Sequence, residues 1–141
     1  MTIEGRGYGL SRLYQRRIAI EAVTVAAEAL CVSTEEIMSR RRAKANVAFA
    51  RQIAIYLAHV VGQLSLGQVS TEFNRERTTV GYSCHAVEDR RDSPIFDKQV
   101  EFLEAQLRDR LTTLLTQEIK MSAKEKKSPA RKRAIGFREA G

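Results

Sequence analysis

Cysteine, histidine and long apolar runs are all scarce in this chain of 141 residues, and each scarcity removes a class of protein. The two cysteines, Cys31 and Cys84, lie inside apolar helical patterns. They read as small buried hydrophobes of a reducing compartment, not as a disulfide or a metal pair. Two histidines, His59 and His85, are too few and too isolated for a zinc site. No stretch approaches the roughly 20 apolar residues that span a bilayer. The opening MTIEGRGYGLSRLYQRR lacks the apolar core of a secretory signal. A G-x-x-x-x-G-K-[ST] phosphate loop is missing, so no nucleotide is expected. Nor does any Ser, His or carboxylate constellation suggest catalysis. Glu72, Glu76, Glu88 and Asp89 are scattered along helical segments, where solvated faces account for them. Neither an enzyme nor a cofactor is expected.

Positive charge is plentiful. Lys and Arg number 24 against 17 Asp and Glu, a net charge of +7. Such a balance suits a polyanionic partner, most often nucleic acid, although ribosomal, membrane-surface and merely soluble proteins share it. The length allows one ordinary domain plus extensions.

The patterning is helical throughout, with no repeat. It predicts an all-α protein: a compact helical bundle containing a helix-turn-helix, then a long C-terminal helix and a disordered basic tail. Residues 1–10, with three glycines, read as a flexible arm. A helix over Ser11 to Val32 follows, with Ile18, Val25, Ala29 and Val32 on one face. Ser33 and Glu36 form a capping box ahead of a short helix through Ile37 and Met38. The basic run Arg40, Arg41, Arg42 and Lys44 then precedes a strong helix from Val47 to Val61. A solvated loop is the plain reading of such a run alone; its place beside a helix-turn-helix favours contact with phosphates.

Residues 65–90 carry the strongest signal. Ser65 and Gln68 make a second capping box. Leu66, Val69 and Phe73 form one apolar stripe. Asn74 suits the left-handed residue that ends a helix. Arg75, Glu76, Arg77, Thr78 and Thr79 are polar, and Val80, Cys84 and Val87 then resume the apolar spacing. The second helix therefore anchors one face and presents its first turn outward, the layout of a helix-turn-helix that reads base edges in the major groove. This domain is expected to occupy residues 11–91. Asp92-Ser93-Pro94 breaks the chain, with Ser93 as cap and Pro94 at the first helical position. A long helix over 92–121 follows, its stripe Phe96, Val100, Leu103, Leu107, Leu111 and Leu114. That stripe packs on the domain in the plain reading, or forms a homodimer through the 95–115 helix if it projects beyond the core. Residues 122–141 hold seven basic residues against two acidic ones and read as a disordered tail adding salt-sensitive affinity for DNA.

Three pieces in this order resemble the C-terminal DNA-binding domain of the bacterial replication initiator DnaA, a Trp-repressor-like helix-turn-helix. Ala50-Arg51-Gln52-Ile53-Ala54-Ile55-Tyr56-Leu57, after its basic loop, is similar to the family's Pro-Arg-Gln-(Ile/Met)-Ala-Met-Tyr-Leu. Ser65-Leu66 opens the helix-turn-helix as in the family. Arg75-Glu76-Arg77-Thr78-Thr79-Val80 is similar to the signature Gly-Arg-Asp-His-Thr-Thr-Val. The resemblance covers Thr34 to Asp89 and implies base contacts from Glu76, Arg77, Thr78 and Thr79. The chemistry agrees: Glu accepts from cytosine N4, Arg forks onto guanine O6 and N7, and a Thr methyl meets the thymine methyl. Phosphate contacts are assigned to Arg40, Arg41, Arg42, Lys44, Arg51, Ser65 and Arg75. Departures are Glu76 and Arg77 for the family's Asp and His, a missing turn Gly, and Phe49 and Ala50 where the family has a minor-groove Arg and a Pro. Arg41, Arg42 or Lys44 are the candidates to replace that Arg.

The function expected is sequence-specific binding of double-stranded DNA by a cytoplasmic, nucleoid-associated regulator of transcription or replication initiation, with the module standing alone without the ATPase domain. The alternative is a helical protein–protein interaction module whose DNA-binding domain is degenerate, with the 95–115 stripe as its contact. Tyr56 and Tyr82 read as packing residues, and His85 as structural or phosphate-facing.

Overall fold

The structure, a computed structural model, describes the backbone of residues 12–140 and the side chains of residues 12–121 and 123. The proposed arm, residues 1–10, lies outside the described residues. Among the described residues six helices follow one another: α1 (Arg12–Leu30), α2 (Thr34–Met38), α3 (Ala45–Val60), α4 (Leu66–Phe73), α5 (Arg77–Arg90) and α6 (Pro94–Ala140). No strand occurs among the described residues. The chain divides into two units, Met1–Asp109 and Arg110–Gly141.

Helix α3 is the axis of the first unit, because its sequence is apolar almost all round. Ile53, Ala54, Ile55, Tyr56, Leu57 and Ala58 are consecutive and all buried. A helix apolar on every side must be covered on every side. Helix α1 covers one side and α5 another, with α2 and α4 closing the ends. Small side chains let α1 approach closely: Ala19, Ala22, Ala26 and Ala27 face inward, as do Ala50, Ala54 and Ala58 of α3. The approach is tightest at Gly62, just past α3. A Cβ there would stand 2.6 Å from the Ala58 carbonyl oxygen and 2.6 Å from Ile18 Cγ2, so only glycine fits.

Local signals set the helix ends. Both capping boxes form: Ser33 Oγ accepts from the Glu36 N–H and Ser65 Oγ from the Gln68 N–H, with the reciprocal side-chain bonds in place. Asn74 takes the left-handed conformation at φ 55°. So does Cys31, at φ 56°, and the Val32 N–H reaches back to the Ala27 carbonyl. That six-to-one closure is a Schellman ending. It corrects the expectation of two buried cysteines: Cys84 is buried, but Cys31 sits one residue past the end of α1 and is exposed.

Charged residues inside the first unit also depart from the expected solvated faces. The Glu72 side chain is 0% exposed. It accepts from Gln15 Nε2 at 2.8 Å and Arg16 Nε at 2.7 Å, which ties α4 to α1. Arg91, after α5, donates to Asp97, to the Tyr56 hydroxyl at 2.9 Å and to Glu104 at 2.8 Å. Burial alone would lower the Arg91 pKa, but these bonds raise it above the ordinary value, so the guanidinium stays charged. This network fixes the first turns of α6 to α3.

Of the α6 stripe, Phe96, Val100 and Leu107 are buried within the first unit and Leu103 is half-buried. Beside it runs a groove of about 640 Å³, lined in part by Phe49, Ile53, Phe96 and Phe102. In the second unit α6 simply continues, and its backbone stays helical through Ala140. Composition predicted a tail without fixed structure from Ser122. No helix among the described residues is long and apolar enough to cross a membrane.

Candidate nucleic-acid interface

Helices α4 and α5 are joined by Asn74, Arg75 and Glu76. The turn is built from its own sequence. The Asn74 and Arg75 N–H groups both donate to the Ser70 carbonyl, and the Ser70 hydroxyl donates to the Arg75 carbonyl at 2.5 Å. Helix α5 then buries Val80, Ser83, Cys84 and Val87 on one side. Thr78, Tyr82, His85 and Asp89 stand on the other, all exposed.

The four residues expected to meet bases come together at the start of α5. Glu76, Arg77, Thr78 and Thr79 are consecutive and all exposed. Glu76 occupies the N-cap, yet its carboxylate accepts none of the first-turn N–H groups. Those donors and the positive end of the helix dipole therefore remain toward solvent, where an acceptor or anion is favoured.

The residues expected to meet phosphates divide into two sets. Arg40, Arg41, Arg42 and Lys44 are exposed on the loop between α2 and α3, and Ser65 is exposed at the α4 N-cap. Arg51 and Arg75 are half-buried and hold the backbone. Arg51 donates from Nε to the Ile37 carbonyl at 2.7 Å and from Nη2 to the Glu36 and Ser39 carbonyls. It thereby caps the C-terminal end of α2. Arg75 Nη2 donates to the same Ser39 carbonyl at 2.6 Å. Ser39 is thus the point at which the basic loop is pinned both to α3 and to the turn. Sequence spacing gave no sign of this, because a backbone carbonyl leaves no mark in side-chain pattern.

The pinning concentrates positive charge. Burial, then the nearby Arg75, lowers the Arg51 pKa; burial, then Arg40, lowers that of Arg75. Three guanidiniums therefore repel one another where the loop meets the turn, and an oxyanion placed among them would relieve that repulsion. Arg77 lies only two residues beyond Arg75, roughly 7 Å of extended chain at most. The basic loop and the exposed turn of α5 consequently share one end of the domain.

Phe49 and Tyr82 lie on different surfaces. Phe49 does not project. Its ring lies 5.9 Å from that of Phe96, and the Arg90 guanidinium covers it at 4.4 Å. Tyr56 packs as expected, but Tyr82 is 69% exposed, because it falls on the outer face of α5.

A family model for the bacterial DnaA protein helix-turn-helix matches residues 20–87, from the middle of α1 to the last buried residue of α5. Those 68 residues, just under half of the chain, are similar to the DnaA helix-turn-helix family. Two DnaA chromosomal replication initiator proteins, from Thermoanaerobacter sp. strain X514 and Thermoanaerobacter pseudethanolicus, are each 32% identical over 78 residues, which is 55% of this chain and 17% of theirs. A crystal structure of a DNA replication initiation factor superposes with a TM-score of 0.62 at 33% identity, covering 68% of this chain and 30% of that one. A replication initiator DnaA bound to AMPPCP and single-stranded DNA superposes with a TM-score of 0.60 at 31% identity. The chain thus spans less than a third of the length of these DnaA relatives. The matched stretch is the helix-turn-helix part of DnaA and not its ATPase part.

Proposed function

We propose that the protein binds double-stranded DNA in a sequence-specific way and regulates replication initiation or transcription, acting on the chromosome in the cytoplasm and without catalysis of its own. One observation carries the reading. The first turn of α5 is exposed at Glu76, Arg77, Thr78 and Thr79, while Val80, Cys84 and Val87 lock its back to the core. That turn enters the major groove. Glu76, Arg77, Thr78 and Thr79 read base edges, and Arg40, Arg41, Arg42, Lys44 and Ser65 lie on phosphates. Arg75 and Arg51 hold the loop in register, and what remains of their donors faces the same phosphates. A homodimer over residues 95–115 would form through the exposed Ile95, Phe102 and Leu115.

Selection of bound duplexes from a random pool tests the reading, with single-stranded DNA of the same sequences as control. A recurring duplex motif is the expected result. Recovery of unrelated sequences, or of single strands in preference to duplexes, would refute it.

A further inference from the structure

Gly81 stands in the middle of α5 and has no reason in the fold to be glycine. It is the fifth of the 14 residues of the helix, far from either cap. Its φ lies outside the left-handed region, and a Cβ built there meets nothing within 4 Å. Contrast Gly62, where any side chain would collide with α1. Glycine in a helix interior weakens the helix relative to alanine, so the fold is made less stable at Gly81 with no internal compensation. The position is not a neutral one. Residues three and four apart are neighbours on a helix surface. Gly81, itself half-buried, is therefore flanked by the exposed Arg77 and Thr78 on one side and by the exposed His85 and the buried Cys84 on the other. It forms a notch of bare backbone one turn beyond the residues that face the bases.

We propose that Gly81 is a specificity-determining position: the bare backbone of α5 at this notch seats directly against a base-pair edge of the bound duplex. This deepens the proposed function and rests on it. The absence of a side chain lets this face of the helix sit closer to the floor of the major groove, so that the short side chain of Thr78, three residues away on the same face, reaches a base edge. A methyl group at residue 81 would hold the helix away by its own thickness. Contacts to phosphates, made by long flexible side chains, would absorb that shift; contacts to base edges would not.

The test uses the full chain and its Gly81→Ala variant, each titrated with the selected duplex and with a scrambled duplex of equal length. Thermal melting is followed in parallel. The variant should melt at or above the temperature of the unchanged protein, lose at least tenfold in affinity for the selected duplex, and keep its affinity for the scrambled one within about twofold. Equal affinity of both proteins for the selected duplex would overturn the inference alone. So would an equal loss on both duplexes, which would place the effect on the phosphates. Should the unchanged protein itself fail to prefer the selected duplex, the functional reading falls first and this inference with it.

Discussion

An exposed arginine at the first position of a helix does little for the fold, and Arg77 is such a residue. Its proposed value lies outside the molecule, on the DNA. Replacing it by Ala should cost roughly 1–3 kcal/mol of binding to the preferred duplex and relax the preference at one base pair, as read by repeating the selection. A uniform loss over all sequences would make it a phosphate contact instead. The cysteines offer a second measurement at this scale. Burial pushes the Cys84 thiol up to about 11, whereas Cys31 is exposed. Iodoacetamide at pH 8 should label Cys31 alone, with Cys84 following only in denaturant, as mass spectrometry would show. The same shift sets a direction for stability. Above the ordinary thiol value of 9.0 the unfolded chain ionises Cys84 while the folded chain keeps it protonated. The stabilisation is complete below that pH and is lost between pH 9 and about 11, and the urea midpoint should fall across that window. Side-chain pattern foresaw the burial of Cys84 but not the exposure of Cys31. Apolar spacing cannot tell the last turn of a helix from the residue that ends it, and the left-handed turn there uses no Gly or Asn.

Among the elements, those with the plainest local chemistry were the most legible. Capping boxes at Ser33 and Ser65 and the left-handed Asn74 depend only on residues within four positions, and each stands where the spacing placed it. Contacts between distant segments were not legible. Glu72 reads as one more surface carboxylate until Gln15 and Arg16, 57 and 56 positions away, are brought to it. Arg51 likewise reads as a phosphate ligand, and the fold occupies most of its donors at the end of α2. A comparison of two variants follows from this. Arg41 and Arg42 are exposed, so replacing both by Ala should weaken all duplexes alike. It should also flatten the salt dependence by about one unit per lost phosphate contact, with the melting temperature unchanged. Arg51→Ala should instead lower stability by about 1 kcal/mol, since three carbonyls at the end of α2, two of them part-buried, lose a charged partner. Arg51→Lys should restore little of it, because an ammonium cannot reproduce the planar fork. Melting curves separate the two roles, and an Arg51→Ala protein of undiminished stability would remove the pinning assigned to Ser39.

At the scale of the whole molecule, charge and recognition are carried by different parts. The proposed recognition surface lies within the first unit, whose α6 turns are already fixed by Arg91. The last twenty residues add seven basic side chains against two acidic ones. Ending the chain after Met121 should therefore leave the melting temperature and the selected motif unaltered. Affinity for unrelated DNA should fall, and more steeply at low salt. A shifted motif would give those residues a part in recognition. Family likeness by itself would suggest a shorter working piece, one beginning near Ile20, in the middle of α1. The packing against Gly62 argues otherwise. With Ile18 seated on that bare position, the first helix is a wall of the same room that holds the reading head, and a protein trimmed of it would open its central helix to water. Anyone cutting this molecule down into a minimal sequence reader would have to begin no later than Arg12.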